Sequence, residues 1–512
     1  MPGYVQHFTH AGNDKMKCRY CQEDIKFTNS HLHSSNLRNH LTFKHPEKLS
    51  VPEKAKVPKI DDYFTGHKSS LPSLPALDRQ TLAVCCSAHP LPFNLVEDKV
   101  FQWAYNCPVK DRRRISIRVT ELARDWREKI CGSFPGKFFT ILLDGWTNPV
   151  TRQSHMCYML CDRNKLVYWK SVVVEDKRAQ NLFEILELTI AELKDAGANV
   201  TAVIGDNAAN IQSSLKLLNN NCPEILVGGC AAHILNLLVS DIFKAIPTVQ
   251  ATLTLVDGFV RDKLVSRYVQ TRWNSRYQAI LSAGEKKLFN STQEPLFEQT
   301  RQILKEVSMQ IDVVQKDTSC VIDFATAFAK IRNSWEKNMT LSRETRNDLE
   351  KQWSKRLQMF TCSIIGNVCN YFKDFLFDNE TSSIFTSPAD ILAVQTWALH
   401  VLPSTNLEVF KAEATEIEDV KNLGQPVVPA NFRIHKTLAN LILKVVVSEA
   451  CVERAFSRHK LFHSNLRANL KAEKLDEQLF LRYNFQNMID TASTVNQSHG
   501  ESDDDDDFLP FE

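Results

Sequence analysis

"FFTILLDGWT", residues 138–147, runs through aromatic and aliphatic side chains and then sets Asp144 where an apolar residue would continue the pattern. A run of this length and composition predicts a buried strand. "HMCYMLCD" (155–162) and "LVYWKSVVVE" (166–175) follow closely enough to be the next two strands. Helical periodicity then covers about 179–196 and stops near Gly197, "TAVIGD" (201–206) reads as a strand, 208–219 as a helix, and "EILVGG" (224–229) as a strand. Three meandering strands followed by right-handed crossovers make a mixed sheet with helices on both faces. Asp144 and Asp206 each end or punctuate a strand, and this topology sets the two strands side by side. Beyond 231 the pattern is almost only helical to about 430, and 432–486 is apolar and reads as helical throughout.

The 512 residues suggest about three domains, and 43% hydrophobic with 24% charged residues is ordinary globular material. No apolar run reaches the roughly 18 residues a bilayer crossing needs, and the polar start lacks the pattern of a signal peptide, so no membrane partner is expected. Fourteen cysteines are scattered along a long chain, which fits a reducing compartment better than a disulfide framework. Seven acids and no base stand in "ESDDDDDFLPFE" (501–512), so the net charge of +2 conceals a basic body and an acidic tail, expected to be disordered over 488–512. Residues 49–89, punctuated by proline, read as a linker. Within it "VPKIDDYF" (57–64) is similar to peptides that dock on sliding clamps, with Val57 where a glutamine is expected.

Near the start, Cys18 and Cys21 are spaced Cys-x2-Cys, and His40 and His45 are spaced His-x4-His. Two thiolates on a tight turn and two imidazoles on one helix meet around tetrahedral zinc, although the span between the pairs is longer than usual. A unit this small buries too little apolar surface to fold unaided, and zinc contributes about 10–16 kcal/mol. His31 and His33, in the longer loop, read as surface residues. With Tyr4 and Phe8 ahead of the first cysteine, residues 1–48 resemble a BED zinc finger. That resemblance puts Ser35, Asn36, Arg38 and Asn39 nearest the major groove of double-stranded DNA.

Taken singly, Asp144 before a glycine could make a turn and Asp206 before a helix could cap it. Two carboxylates held together repel, and a divalent cation relieves that repulsion. A paired-cation site activates the attacking oxygen and stabilises the leaving oxygen in phosphodiester chemistry. The third acid such a site needs is found in "SEACVERAFSRHK" (448–460), where Glu449 and Glu453 stand one helical turn apart. Spacing alone does not choose between facing the sheet and facing solvent.

"LLDGWT", "VIGDNAAN", "GCAAH", "TRWNS" and "VERAFSRHKLFHSNLRANLKAEKLDEQLFLRYN" occur in an order that resembles the hAT-superfamily DNA transposases and their domesticated derivatives. The resemblance implies an RNase H-like core with an all-α insertion: finger 1–48, linker 49–89, helical DNA-binding region 90–132, core 133–235, insertion 236–430, and a C-terminal core helix with dimerisation region 431–487. It implies a catalytic triad of Asp144, Asp206 and Glu453 using Mg2+ or Mn2+, and zinc at Cys18, Cys21, His40 and His45. Cys230 and His233 match the family's Cys-x-x-His motif and are read as packing support for the site. Arg272 and Trp273 match its Arg-Trp motif, as a phosphate contact and a stacking platform, with a core tryptophan as the plainer reading of Trp273. The basic cluster Arg112, Arg113 and Arg114 adds a further DNA contact. The implied activity is metal-dependent DNA cleavage and strand transfer by a homodimer or higher oligomer in the nucleus. The alternative is a non-catalytic, dimeric DNA-binding regulator of transcription or chromatin.

Overall fold

The computed structural model describes residues 5–11, 15–26, 35–45, 48, 79–89, 91–104, 107, 109–148, 151–268, 273–402, 404–462 and 470–497. The chain falls into two units, Met1–Pro75 and Ala76–Glu512. In the first, three short strands, β1 (Phe8–His10), β2 (Lys15–Cys18) and β3 (Asp24–Lys26), pair antiparallel in that order and are followed by helix α1 (Ser35–Lys44). Its apolar core is Phe8, Met16, Cys18, Leu37 and Leu41 with Ile25 against them, too little to hold a fold of this size alone.

The second unit begins with α2 (Arg79–Ala88), α3 (Lys99–Ala104) and α4 (Arg112–Cys131), the last capped by Asp111, whose side chain accepts from the Arg113 N–H. The far end of the expected linker is thus the helix α2, whose Leu82, Ala83 and Cys86 are buried in the main core. The expected strands then appear as β4 (Phe138–Thr147), β5 (Ser154–Cys161) and β6 (Leu166–Val173). Helix α5 (Ala179–Asp195) crosses to β7 (Asn199–Gly205), and α6 (Ala209–Asn221) leads to β8 (Leu226–Gly229). Gly197 takes φ +84° just past α5, a conformation that favours glycine and turns the chain into β7.

The sheet order is β6-β5-β4-β7-β8, with β4–β5 and β5–β6 antiparallel and β4–β7 and β7–β8 parallel. Strand β4 lies at the centre, which explains its near-continuous apolar run. Helices α7 (Ala231–Ala245) and α8 (Pro247–Arg261) meet at a bend of 94°. The helical stretch continues as α9 (Trp273–Glu285), α10 (Glu294–Val314), α11 (Val321–Glu336), α12 (Arg343–Thr361), α13 (Ile364–Tyr371), α14 (Lys373–Leu376), α15 (Asn379–Ser382), α16 (Ile391–Val401), α17 (Ser404–Asn422) and α18 (Arg433–Ile442). Among the described residues no single helix is long and apolar enough to cross a membrane.

The chain after α18 departs from the expectation of unbroken helix over 432–486. Val445, Val446 and Val447 are buried and non-helical, a β-branched run held by backbone bonds to three separate elements. The Val446 N–H donates to Thr140 Oγ1 (3.2 Å), the Val447 N–H to the Ser319 carbonyl (3.1 Å), and the Val447 carbonyl accepts from the Ala231 N–H (2.8 Å). Helix α19 (Ala450–Phe462) follows, and after residues outside the description comes α20 (Ala472–Gln497). Leu475, Leu479, Phe480 and Leu481 of α20 are buried, and the helix packs on α2, α4 and β6. The 90–132 region, expected as a separate DNA-binding element, shares this continuous core with the sheet.

Candidate active site

In the finger, the Cys18 N–H donates to the Glu23 carbonyl and the Gln22 N–H to the Cys18 carbonyl, both at 3.0 Å. This tight turn, with Gln22 at φ 63°, sets the buried Cys18 and the exposed Cys21 near one another. Helix α1 brings His40, and His45 follows one turn later. The ligand atoms of Cys18, Cys21, His40 and His45 all lie within 4.8 Å of one another, with Cys21 Sγ 3.3 Å from His40 Nε2. Burial lowers the His40 pKa, with Glu23 opposing, which favours the neutral imidazole a metal requires. Two thiolates and two imidazoles converging this closely fit structural zinc. Asn39 is exposed on α1, while the side chains of Ser35, Asn36 and Arg38 lie outside the described residues, as do His31 and His33.

The acids of the second unit are placed by strand register. Leu143 pairs with Gly205 in parallel, so the next step sets Asp144 of β4 beside Asp206 at the end of β7. Gly205 pairs with Gly229, and the Cys230 N–H donates to the Gly205 carbonyl (2.7 Å), so Cys230 follows in the same row. Parallel pairing stops at this row, at the carboxyl ends of β7 and β8 and three residues before the end of β4, the side of an open α/β sheet where ligands bind.

A second row crosses above the first. Residues 140, 142, 144 and 146 share one face of β4, and the chain leading into α19 runs along that face. Val446 bonds to Thr140 at one end, and Phe456 stacks on Trp146 at the other, with ring centroids 6.0 Å apart and 25° between planes. Glu453 and Phe456 lie one turn apart on α19, and Glu449 stands just before the helix, four residues ahead of Glu453. Glu449 is 2% exposed at the helix start, its carbonyl accepting from the Val452 N–H (2.7 Å), whereas Glu453, in the first turn, is exposed.

Electrostatics bind the four acids into one cluster. Burial, then the Asp206 charge, push the Asp144 carboxyl up to about 7; the Gly145 N–H, 2.6 Å from Asp144 Oδ1, opposes this, and Glu453 adds to it. Burial pushes Glu449 well above the usual carboxylate range, with Asp144, Glu453 and Asp206 adding to the rise. Asp206 Oδ1 accepts from the Ala208 N–H (3.1 Å), which fixes it at the entry to α6. Among the described residues only the finger quartet forms a set of ligand atoms all within 4.8 Å. The carboxylates are close enough to feel one another without closing to that distance.

The comparisons fall on these two regions. Residues 4–46 match the BED zinc finger family, and residues 110–258, which carry Asp144, Asp206 and the whole sheet, match the family described as a domain of unknown function, DUF659. The chain thus joins a BED-type zinc finger to a DUF659 region. A solved structure described as the Drosophila P element transposase strand transfer complex is similar over 84% of this chain and 95% of that one, at 10% identity and a TM-score of 0.35. No curated protein matches the chain.

The remaining residues singled out by the sequence are distributed as follows. Cys230 is buried at the start of α7; burial first, then Glu449, raise its thiol pKa well above normal. His233 is half-buried one turn further along α7. Arg112, Arg113 and Arg114 are exposed at the start of α4, and the Arg112 N–H donates to Glu97 Oε1 (3.1 Å). Arg272 and the Trp273 side chain lie outside the described residues, as does the clamp-like segment 57–64. Sequence reasoning named Glu449 only as a neighbour of Glu453. The available signal was a carboxylate closing an otherwise apolar run, "LANLILKVVVSE".

Proposed function

We propose that this hAT-like, DNA-binding chain cleaves DNA at the ends of a mobile element and joins the freed ends to target DNA. In the first step a water oxygen bonds to phosphorus as the bond to the departing 3′ oxygen breaks, leaving a 3′ hydroxyl and a 5′ phosphate. Later the 3′ hydroxyl attacks a second phosphodiester by transesterification. The observation that carries this reading is the row of Asp144 and Asp206, just past the last β4–β7 pair, beside Glu449 and the helix bearing Glu453. An all-carboxylate donor set suits Mg2+ or Mn2+ and not zinc. When bound, these cations activate the attacking oxygen and stabilise the leaving one.

The protein's own contribution is placement. Asp144 is fixed by its pairing with Cys157 of β5, one residue beyond the last β4–β7 pair, Asp206 by its bond to Ala208, and Glu453 would join them as the third acid. The finger supplies DNA affinity through α1, and the exposed Arg112–Arg113–Arg114 cluster adds phosphate contacts. Arg272 and Trp273 would act on phosphate and on a displaced base, with Cys230 and His233 supporting the site from below. Self-association, residence in the nucleus, and docking of residues 57–64 on a sliding clamp belong to the same reading.

The exposure of Glu453 and the open spacing of the acids favour a second reading, a dimeric DNA-binding regulator without catalysis. The two readings separate on a duplex carrying the DNA that flanks the gene. Asp144→Asn and Asp206→Asn should each abolish Mg2+-dependent cutting while DNA binding persists. Equal cutting by wild type and both variants would remove the catalytic reading, and no cutting by any of them would favour the regulator.

A further inference from the structure

Glu449 is the acid that the triad leaves out, and its surroundings are unlike those of a structural glutamate. It is 2% exposed, and its Oε2 is buried without a hydrogen-bond partner. No lysine or arginine is among the groups acting on it; the charges that reach it are Asp144, Glu453 and Asp206, all negative. An isolated buried carboxylate with a bare oxygen among three others is expensive for a fold to keep. Neutral side chains of similar shape would fill the same space at lower cost.

The position is also held from several sides. Val446 and Val447 anchor the preceding chain to β4, to the loop before α11 and to the start of α7. The Cys230 thiol lies against the Glu449 carboxylate, whose Oε2 has no hydrogen-bond partner. Glu449 immediately precedes α19, where the partial positive charge of the helix start favours an anionic side chain.

We propose that Glu449 is a fourth carboxylate ligand of the divalent-cation site, reaching Asp144 and Asp206 from the buried side while Glu453 closes the site toward solvent. The inference rests on the cation-dependent reading above and deepens it. The bare Oε2 is the atom assigned to the cation, and Cys230 is a positioning residue that turns the carboxylate. The ligand class is a hard divalent cation, since the four donors are carboxylate oxygens.

The test is Mn2+ binding to the full-length, zinc-loaded protein, followed by electron paramagnetic resonance and by the Mn2+-induced rise in melting temperature. Glu449→Gln keeps the shape but removes the anionic charge. It should weaken Mn2+ binding about tenfold or more and shrink the thermal rise. Affinity within about twofold of wild type, alongside a clear loss in Asp144→Asn, would overturn the proposal and leave the cation site standing. If wild type and Asp144→Asn bind Mn2+ alike, the cleavage reading and this proposal fall together. Should the glutamine variant not fold, Glu449→Asp keeps the charge and withdraws it by one methylene. Weaker Mn2+ binding by that variant supports ligation, and undiminished binding overturns it.

Discussion

Asp144 holds its proton more firmly in the folded chain than in the unfolded one, because burial and Asp206 raise its pKa from 3.8 to about 7. The native state therefore binds the extra proton between those values, so this carboxyl's contribution is greatest below the lower value and declines as pH rises toward the upper one. Asp144→Asn removes the effect. Without divalent metal, its melting temperature should exceed that of wild type above about pH 7 and converge on it below about pH 4. A constant difference across that range would show that Asp144 is not among other acids as described. In the finger, Cys21→Ser removes one of four converging ligands and should release zinc and unfold the unit, since zinc supplies about 10–16 kcal/mol there. Zinc content and anisotropy with labelled duplex DNA read the outcome, and unchanged DNA affinity would move the binding surface to Arg112–Arg113–Arg114. The metal pairs were legible because Cys-x2-Cys and His-x4-His are local spacings. The choice between Glu449 and Glu453 was not, since one helical turn separates a buried carboxylate from an exposed one and only packing decides which is which.

The strands and crossovers of the core were legible because each is a short-range pattern, and β4 to β8 fall where hydrophobic runs and turn residues put them. The valine segment before α19 was misread as helix because an apolar run of mixed Leu, Ile and Val fits either state when both faces are covered. Its conformation follows from its partners. Thr140→Val removes the side-chain acceptor of the Val446 N–H in a buried setting and should cost about 1–3 kcal/mol in denaturant unfolding. No cost would mean that the segment is held by its apolar contacts alone. On β8, a Cβ added at Gly229 would lie 2.0 Å from Asn207 Oδ1. Gly229→Ala should therefore destabilise by about 1–3 kcal/mol and displace Asn207, the neighbour of Asp206, a shift visible in a crystal structure of the variant.

Chain ends meet across the whole second unit. Helix α20 covers β6 and α4, with Asn484 Nδ2 donating to the Tyr168 carbonyl (2.9 Å), Lys474 Nζ to the Ser116 carbonyl (3.0 Å), and Asp476 accepting from Tyr168 Oη (2.8 Å). Leu479 is fully buried there, so Leu479→Ala should lower stability by about 2–5 kcal/mol in thermal or denaturant melts of the second unit. A near-neutral result would mean that α20 is only loosely attached. The sequence by itself determined the zinc ligands, the strand and helix order and the two aspartates at strand ends, because each is written in spacings of a few residues along one element. Only the tertiary structure decided that residues 445–449 leave the helical state, that α20 closes on its own core, and that Glu449 rather than Glu453 is the buried acid. Those outcomes depend on partners as far away as 358 residues along the chain, and pairings at that range are set by packing and by satisfying buried polar groups, which no local period records.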